Sequence, residues 1–185
     1  MKILCEKFEE NNPKVQGEVL WFLSNICVVD NHYLLQQVIE TSILSKALKI
    51  IPTGDEENKI EASYCLYNIL EKGSYEQVFR ISEEINIESL IENLSTFYSM
   101  ELIKISLLCL CKLTQRALAF AVEYGTERID GNLNPVIKKI TSSQKYYLIE
   151  ELLKHPNPEI EENARVLIDE LITPTLDKFD KRMGE

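Results

Sequence analysis

Residues 18–26 read EVLWFLSNI, and forty-three positions on, residues 61–69 read EASYCLYNI. A Glu, an aromatic and an Asn return at identical offsets within stretches whose apolar residues are spaced by three and four. A chain that repeats at such a period is made of like units. No one unit can bury its apolar stripe alone, so neighbours must stack to close a continuous core. No other feature of the 185 residues restricts the architecture as much.

Everything in the chain reads as helix, and no segment alternates as a half-buried strand would. Breakers fall regularly, at Asn12-Pro13, Pro52-Thr53-Gly54, Lys72-Gly73-Ser74, Asn134-Pro135 and Pro156-Asn157-Pro158. In Asn12-Pro13 and Asn157-Pro158 the Asn can cap a helix while Pro takes its first position, where a missing N–H costs nothing. The expected plan is a short helix over 1–10 and a long one over 13–28. A triplet follows at 32–40, 42–51 and 56–72, then a second at 75–84, 87–97 and 99–116. A less regular last unit has an extended first part, 118–140, then helices at 144–155 and 158–172. Residues 174–185 are expected to form a polar, frayed tail. Three helices in about 43 residues is the armadillo period. The sequence therefore predicts an all-α armadillo-repeat array, a right-handed superhelix (α-solenoid) of about three and a half repeats. It divides into a partial repeat 1–29 and repeats 30–72, 73–117 and 118–173.

Bulk properties exclude several functions. The content is 45% hydrophobic with six Gly and six Pro, which suits a folded core. No uninterrupted apolar run approaches the roughly 18 residues of a membrane span. MKILCEKFEE lacks the apolar stretch of a secretory signal. A cytoplasmic and nuclear location is expected. Five cysteines without a signal fit reduced, buried thiols. Cys109 and Cys111 lie about 200° apart on one helix and cannot share a metal. The histidines, His32 and His155, have no ligand partners at metal spacing. A net charge of −10 argues against nucleic acid and permits a basic partner. There is no phosphate loop and no nucleophile–base pair, so neither an enzyme nor a cofactor is expected.

Advancing about 100° per residue sorts the first long helix into two arcs. Val19, Leu20, Phe22, Leu23, Ile26 and Cys27 fill one, while Glu18, Trp21, Ser24 and Asn25 share the other. On the second, Ala62, Cys65, Leu66, Ile69 and Leu70 oppose Glu61, Tyr64, Tyr67 and Asn68. Side by side on a concave surface, these polar arcs make a ladder. An Asn offers acceptor and donors to an extended backbone without reading its sequence. Aromatic faces take the stem and charge of Lys or Arg, and carboxylates pair with the cationic head.

The E-x-x-W-x-x-x-N pattern at Glu18, Trp21 and Asn25 resembles that of importin-α, the adaptor that recognises nuclear localisation signals. KVQGEVLWFLSNICVVDNHYLLQQVIE followed by KIEASYCLYNILEKGSYEQVFR is similar to consecutive repeats around that family's smaller, C-terminal site. IEELLKHPNPEIEENARVLIDELI resembles its closing repeat, with a His-x-Asn turn before the last helix. The resemblance implies a minor-site type of binding module for nuclear localisation peptides. Its peptide-binding residues would be Glu18, Trp21, Ser24, Asn25, Glu61, Tyr64 and Asn68. It also implies exportin and nucleoporin contacts at the C-terminal repeats, through Glu159, Glu161, Glu162, Asp169 and Glu170.

The chain departs from the family in places. Tyr64 stands where a Trp is expected, and a shift of 44 from α-helical Glu61, Tyr64 and Asn68 lands on Ile105, Leu108 and Lys112. Lys112 is expected to repel a basic peptide and end the groove. The family's importin-β-binding segment has no counterpart, so importin-β is not an expected partner of this chain alone. With a few contacts, affinity is expected to be weak, a Kd of roughly 0.1–1 mM. A truncated or split importin-α and an armadillo scaffold for another extended segment or a partner subunit both fit.

Overall fold

The computed structural model describes residues 1–10, 12–29, 31–123 and 134–183. These residues form helices and connecting turns, with no strand among them. In order they are α1 (Lys2–Phe8), α2 (Pro13–Val28), α3 (His32–Glu40), α4 (Ser42–Thr53), α5 (Glu56–Lys72) and α6 (Tyr75–Ser82). Then come α7 (Ile87–Glu92), α8 (Met100–Glu123), α9 (Pro135–Thr141), α10 (Tyr147–Glu151), α11 (Pro158–Arg165) and α12 (Thr173–Met183). A 3₁₀ turn, Leu152–Lys154, follows α10, and a π-helical stretch, Val166–Ile172, joins α11 to α12.

The starts are chemically fixed. Asn12 accepts from the Lys14 amide, Asn31 from those of Tyr33 and Leu34, and Asp55 from that of Asn58. Ser74 and Gln77 close a reciprocal capping box on α6. His155 Nδ1 accepts the Asn157 amide at 3.1 Å, and Asn157 in turn caps α11. The His-x-Asn turn is thus a capping device.

The long helices α2, α5 and α8 lie side by side, α5 packed against both of the others, with α4 behind it. The core runs through them as one cluster that includes Leu20, Leu23, Leu66, Ile69, Leu107 and Leu110. Beyond α8, α11 and the π-helical stretch continue the stack. One element of the architecture makes close approach possible. A Cβ on Gly17 of α2 would come within 2.7 Å of Asn58 Oδ1 of α5. Asn58 is buried there and donates to the Pro13 carbonyl at 3.1 Å and to Asp55 at 3.2 Å.

Four expectations need correction. The helix expected over 87–97 stops at Glu92. Asn93 is buried instead, accepting from the buried Lys59 amine of α5 at 3.3 Å, and the same amine reaches Tyr98 Oη at 3.3 Å. These contacts hold 93–99 as a tight turn. Second, α8 does not end at Arg116 but runs to Glu123, because no Gly or Pro interrupts Ala117–Glu123. It is long and apolar enough for a membrane span, which the sequence reading did not allow. In the fold half of that stretch is buried, against α5, α7 and α11 among others. Third, the tail is helical through Met183 as α12, with Leu176 packed on the core. Fourth, Phe22 does not join the buried arc of α2 and is 47% exposed. The expected extended part 118–140 falls partly outside the described residues.

Candidate functional site

Of the residues singled out on α2 and α5, Glu18, Trp21 and Glu61 line one cavity. Trp21 is 55% exposed, so its indole stands outside the core on the groove wall. Glu18 and Asn25 are exposed beside it, and Glu61, Tyr64 and Asn68 are half-buried on α5. An open cavity of about 850 Å³ lies at the N-terminal end of the three long helices. Gly17, Glu18 and Trp21 line it from α2, Asn58 and Glu61 from α5, and Glu101 from α8.

Electrostatics mark the centre of this cavity. Burial pushes the Glu61 carboxyl above its ordinary range, and the charges of Glu101 and then Glu18 push it further. Three successive long helices thus contribute one carboxylate each to a row, with Glu61 in the middle. Tyr64 Oη donates to Glu101 at 3.4 Å, and burial followed by the Glu101 charge raises its phenol in the same way. Asp55 and Glu57 add negative charge at the rim, where Lys14 supplies the cation among the lining residues. Glu101 was missed from sequence. It stands forty residues after Glu61 rather than forty-three or forty-four, because the turn 93–99 resets the register of α8.

The amides are held differently from one another. Asn25 Nδ2 donates to the Trp21 carbonyl of its own helix at 2.7 Å. Asn68 Nδ2 donates across the interface to the Ser24 carbonyl of α2 at 2.9 Å. Each bond uses one N–H of a side chain that has two, plus an acceptor oxygen. Ser24 requires a correction. It was expected to line the groove, but it is 7% exposed, with its hydroxyl donating to the Trp21 carbonyl at 2.8 Å. It sits on the side of α2 that faces α5, so it serves as the anchor for Asn68.

Lys112 also behaves otherwise than expected. Its amine pairs with Glu71 of α5 at 2.5 Å, so its charge is compensated within the fold. Lys104, one turn after Glu101, pairs with Glu159 of α11 at 2.7 Å. Lys104 and Lys112 of α8 are thus tied to carboxylates of neighbouring helices, and the carboxylate row of the cavity stops at Glu101. Glu159 is therefore engaged internally, and Glu161 and Glu162 flank Arg165 at 2.7 and 3.9 Å. Asp169 and Glu170 are exposed.

Cys27, Cys65, Cys109 and Cys111 are buried in the core, and Cys5 is half-buried. The Cys27 and Cys65 sulfurs are 4.0 Å apart, Cys109 donates to the Ser63 carbonyl, and Cys111 donates to that of Asn163. Burial drives the Cys111 thiol up to about 12 and the Cys109 thiol further still. They act as small hydrophobes. Among the described residues no group of three His, Cys, Asp or Glu side chains is arranged to hold a metal ion.

No protein-family model and no curated protein sequence matches the chain. Solved structures do match. A designed armadillo repeat protein superposes with a TM-score of 0.70 at 22% identity, over 91% of this chain and 63% of its own length. A designed armadillo repeat protein in complex with the peptide (KR)4 gives a TM-score of 0.56 at 22% identity, covering 90% of this chain and 79% of its own. Computationally designed armadillo repeat proteins for modular peptide recognition give 0.57 at 20% identity, with the same coverages. At these identities the likeness establishes the fold, an all-α armadillo solenoid.

Proposed function

We propose that the concave groove binds an extended peptide rich in Lys and Arg, in the manner of an importin-α minor site. The observation that carries this reading is the carboxylate row Glu18–Glu61–Glu101 beside the exposed face of Trp21. A cation placed there offsets the repulsion from Glu101 and Glu18 that adds to burial in raising Glu61, whereas an anion increases it. The indole and the Tyr64 ring supply apolar faces for an aliphatic stem. Asn25 and Asn68 retain an acceptor and a donor each for a passing backbone. The designed armadillo protein bound to (KR)4 supports the chemistry through its shared fold.

A role in nuclear import, with movement between cytoplasm and nucleus, belongs to the same reading. So do exportin and nucleoporin contacts, for which Glu159, Glu162, Asp169 and Glu170 are exposed carboxylates, the first two already facing Lys104 and Arg165. Calorimetric titration with a (KR)4 peptide and with an acidic peptide of equal length tests the core claim. The basic peptide should bind with a Kd of roughly 0.1–1 mM, and the Asn25→Ala/Asn68→Ala double variant should lose about tenfold. Unchanged binding by the double variant, or equal affinity for the acidic peptide, overturns the reading. It would leave a scaffold for some other segment.

A further inference from the structure

Resting on the basic-peptide reading of the groove, we infer that its carboxylate row ends in an apolar subsite built by Phe97 and Met100. The preferred ligand then carries a bulky apolar residue a few positions beyond its run of Lys and Arg. Phe97 is 95% exposed, more than any other large apolar side chain among the described residues, and Met100 is 61% exposed. The chain that presents them is pinned. Tyr98 lies half-buried under the Lys59 amine, which also reaches its hydroxyl at 3.3 Å. The Tyr98 amide donates to the Ser95 carbonyl at 3.1 Å, and the Ser99 amide donates to Glu56 at 2.7 Å. A fixed turn therefore holds out a bare ring that the fold itself does not use.

Its position ties it to the groove. Glu56 stands between Asp55 and Glu57, and both of those line the cavity. Phe97 is two residues from Ser99, so its Cα lies at most about 7.6 Å from that of a residue fastened to this rim. Met100 directly precedes Glu101, the carboxylate that α8 contributes. Glu101 accepts from Tyr64 on its α5 side. Met100 shares a helix face with Lys104, four residues on, whose amine pairs with Glu159 of α11 at 2.7 Å. It thus flanks Glu101 on the side away from α5. Across α2, α5 and α8 the wall reads Glu18, Glu61, Glu101, and then turns apolar.

That change of chemistry selects the occupant. Cations set against the row hold an extended peptide whose end passes over Met100 and Phe97. The nearest cation there, Lys104, is already paired and offers no partner to a further Lys or Arg. An acidic residue would meet Asp55, Glu57 and Glu101. An apolar side chain gains by covering the Phe97 ring, and an aromatic one can also stack on it. An extended chain advances about 3.3 Å per residue, so roughly two to four positions separate the last cation from this residue.

Calorimetric titration of the full chain tests the inference with (KR)4 extended by Gly-Ser-Phe at its C-terminus or by Phe-Ser-Gly at its N-terminus. Each is compared with the same peptide bearing Ser in place of Phe. A peptide lies in the groove with one polarity, so one Phe peptide should bind roughly three- to tenfold more tightly than its Ser counterpart, and the other should not. Phe97→Ser should remove that difference. Val122→Ser, a change to a 68% exposed side chain at the far end of α8, should leave it intact. Equal binding of Phe and Ser peptides at both ends, a gain that survives Phe97→Ser, or the same gain at either end overturns the apolar subsite. In each of those cases the Ser peptides still bind, and the basic groove stands. Failure of every peptide to bind removes the groove reading and this inference together.

Discussion

At the residue scale, Trp21 and Glu61 separate binding from stability. Trp21 is more than half exposed, so Trp21→Ala should leave the unfolding temperature nearly unchanged. It should weaken (KR)4 binding by roughly 2- to 30-fold, the span of one cation–π contact, read by titration. Glu61 runs the other way. Its carboxyl is raised in the fold, first by burial and then by Glu101 and Glu18, so the ionised form is disfavoured there. Acidification from neutrality through that raised pKa, above the ordinary 4.5, relieves the folded state while removing the charge a cation needs. Glu61→Gln should therefore stabilise the chain slightly, weaken peptide binding by roughly two- to fivefold, and flatten the acid limb of the binding curve. Trp21, Asn25 and Asn68 were legible in sequence because their offsets alone fix the helix face. Ser24 was not, because facing the groove and facing α5 differ by a fraction of a turn.

At the element scale, the turn between α7 and α8 decides whether the third carboxylate reaches the groove. Lys59 organises that turn through Asn93 and Tyr98, with its amine 4.8 Å over the Tyr98 ring. Lys59→Ala should cost about 1–3 kcal/mol in chemical denaturation, since it strips a buried Asn of its partner. It should also weaken peptide binding although Lys59 touches no ligand, because Glu101 loses its register. Glu56 fastens the same junction, accepting from the Ser99 amide at 2.7 Å, and those hydrogen bonds lower its carboxyl below the ordinary range. This contribution is present at neutral pH and is lost as pH falls through that lowered pKa. The helices α2, α3 and α5 begin and end where caps and breakers place them. The helices α7, α8 and α12 do not, because a buried amine, the absence of a breaker and packing of Leu176 respectively override the local pattern.

At the scale of the whole molecule, a net charge of −10 and a groove whose carboxylates outnumber its one lining lysine make binding electrostatic. Affinity for (KR)4 should fall as salt shortens the screening length to about 8 Å at physiological strength, while the stability of the array changes little, a contrast that titration and melting at several salt concentrations will display. The amino-acid sequence by itself determined the repeat, its helical content and the face on which Trp21, Asn25 and Asn68 stand, since periodicity and capping act within a few residues. Tertiary structure alone decided which carboxylates meet, that Lys112 is neutralised by Glu71, and that Phe22 is left uncovered. Those outcomes depend on how neighbouring helices slide past one another, and that register is set by long-range packing and by one buried amine.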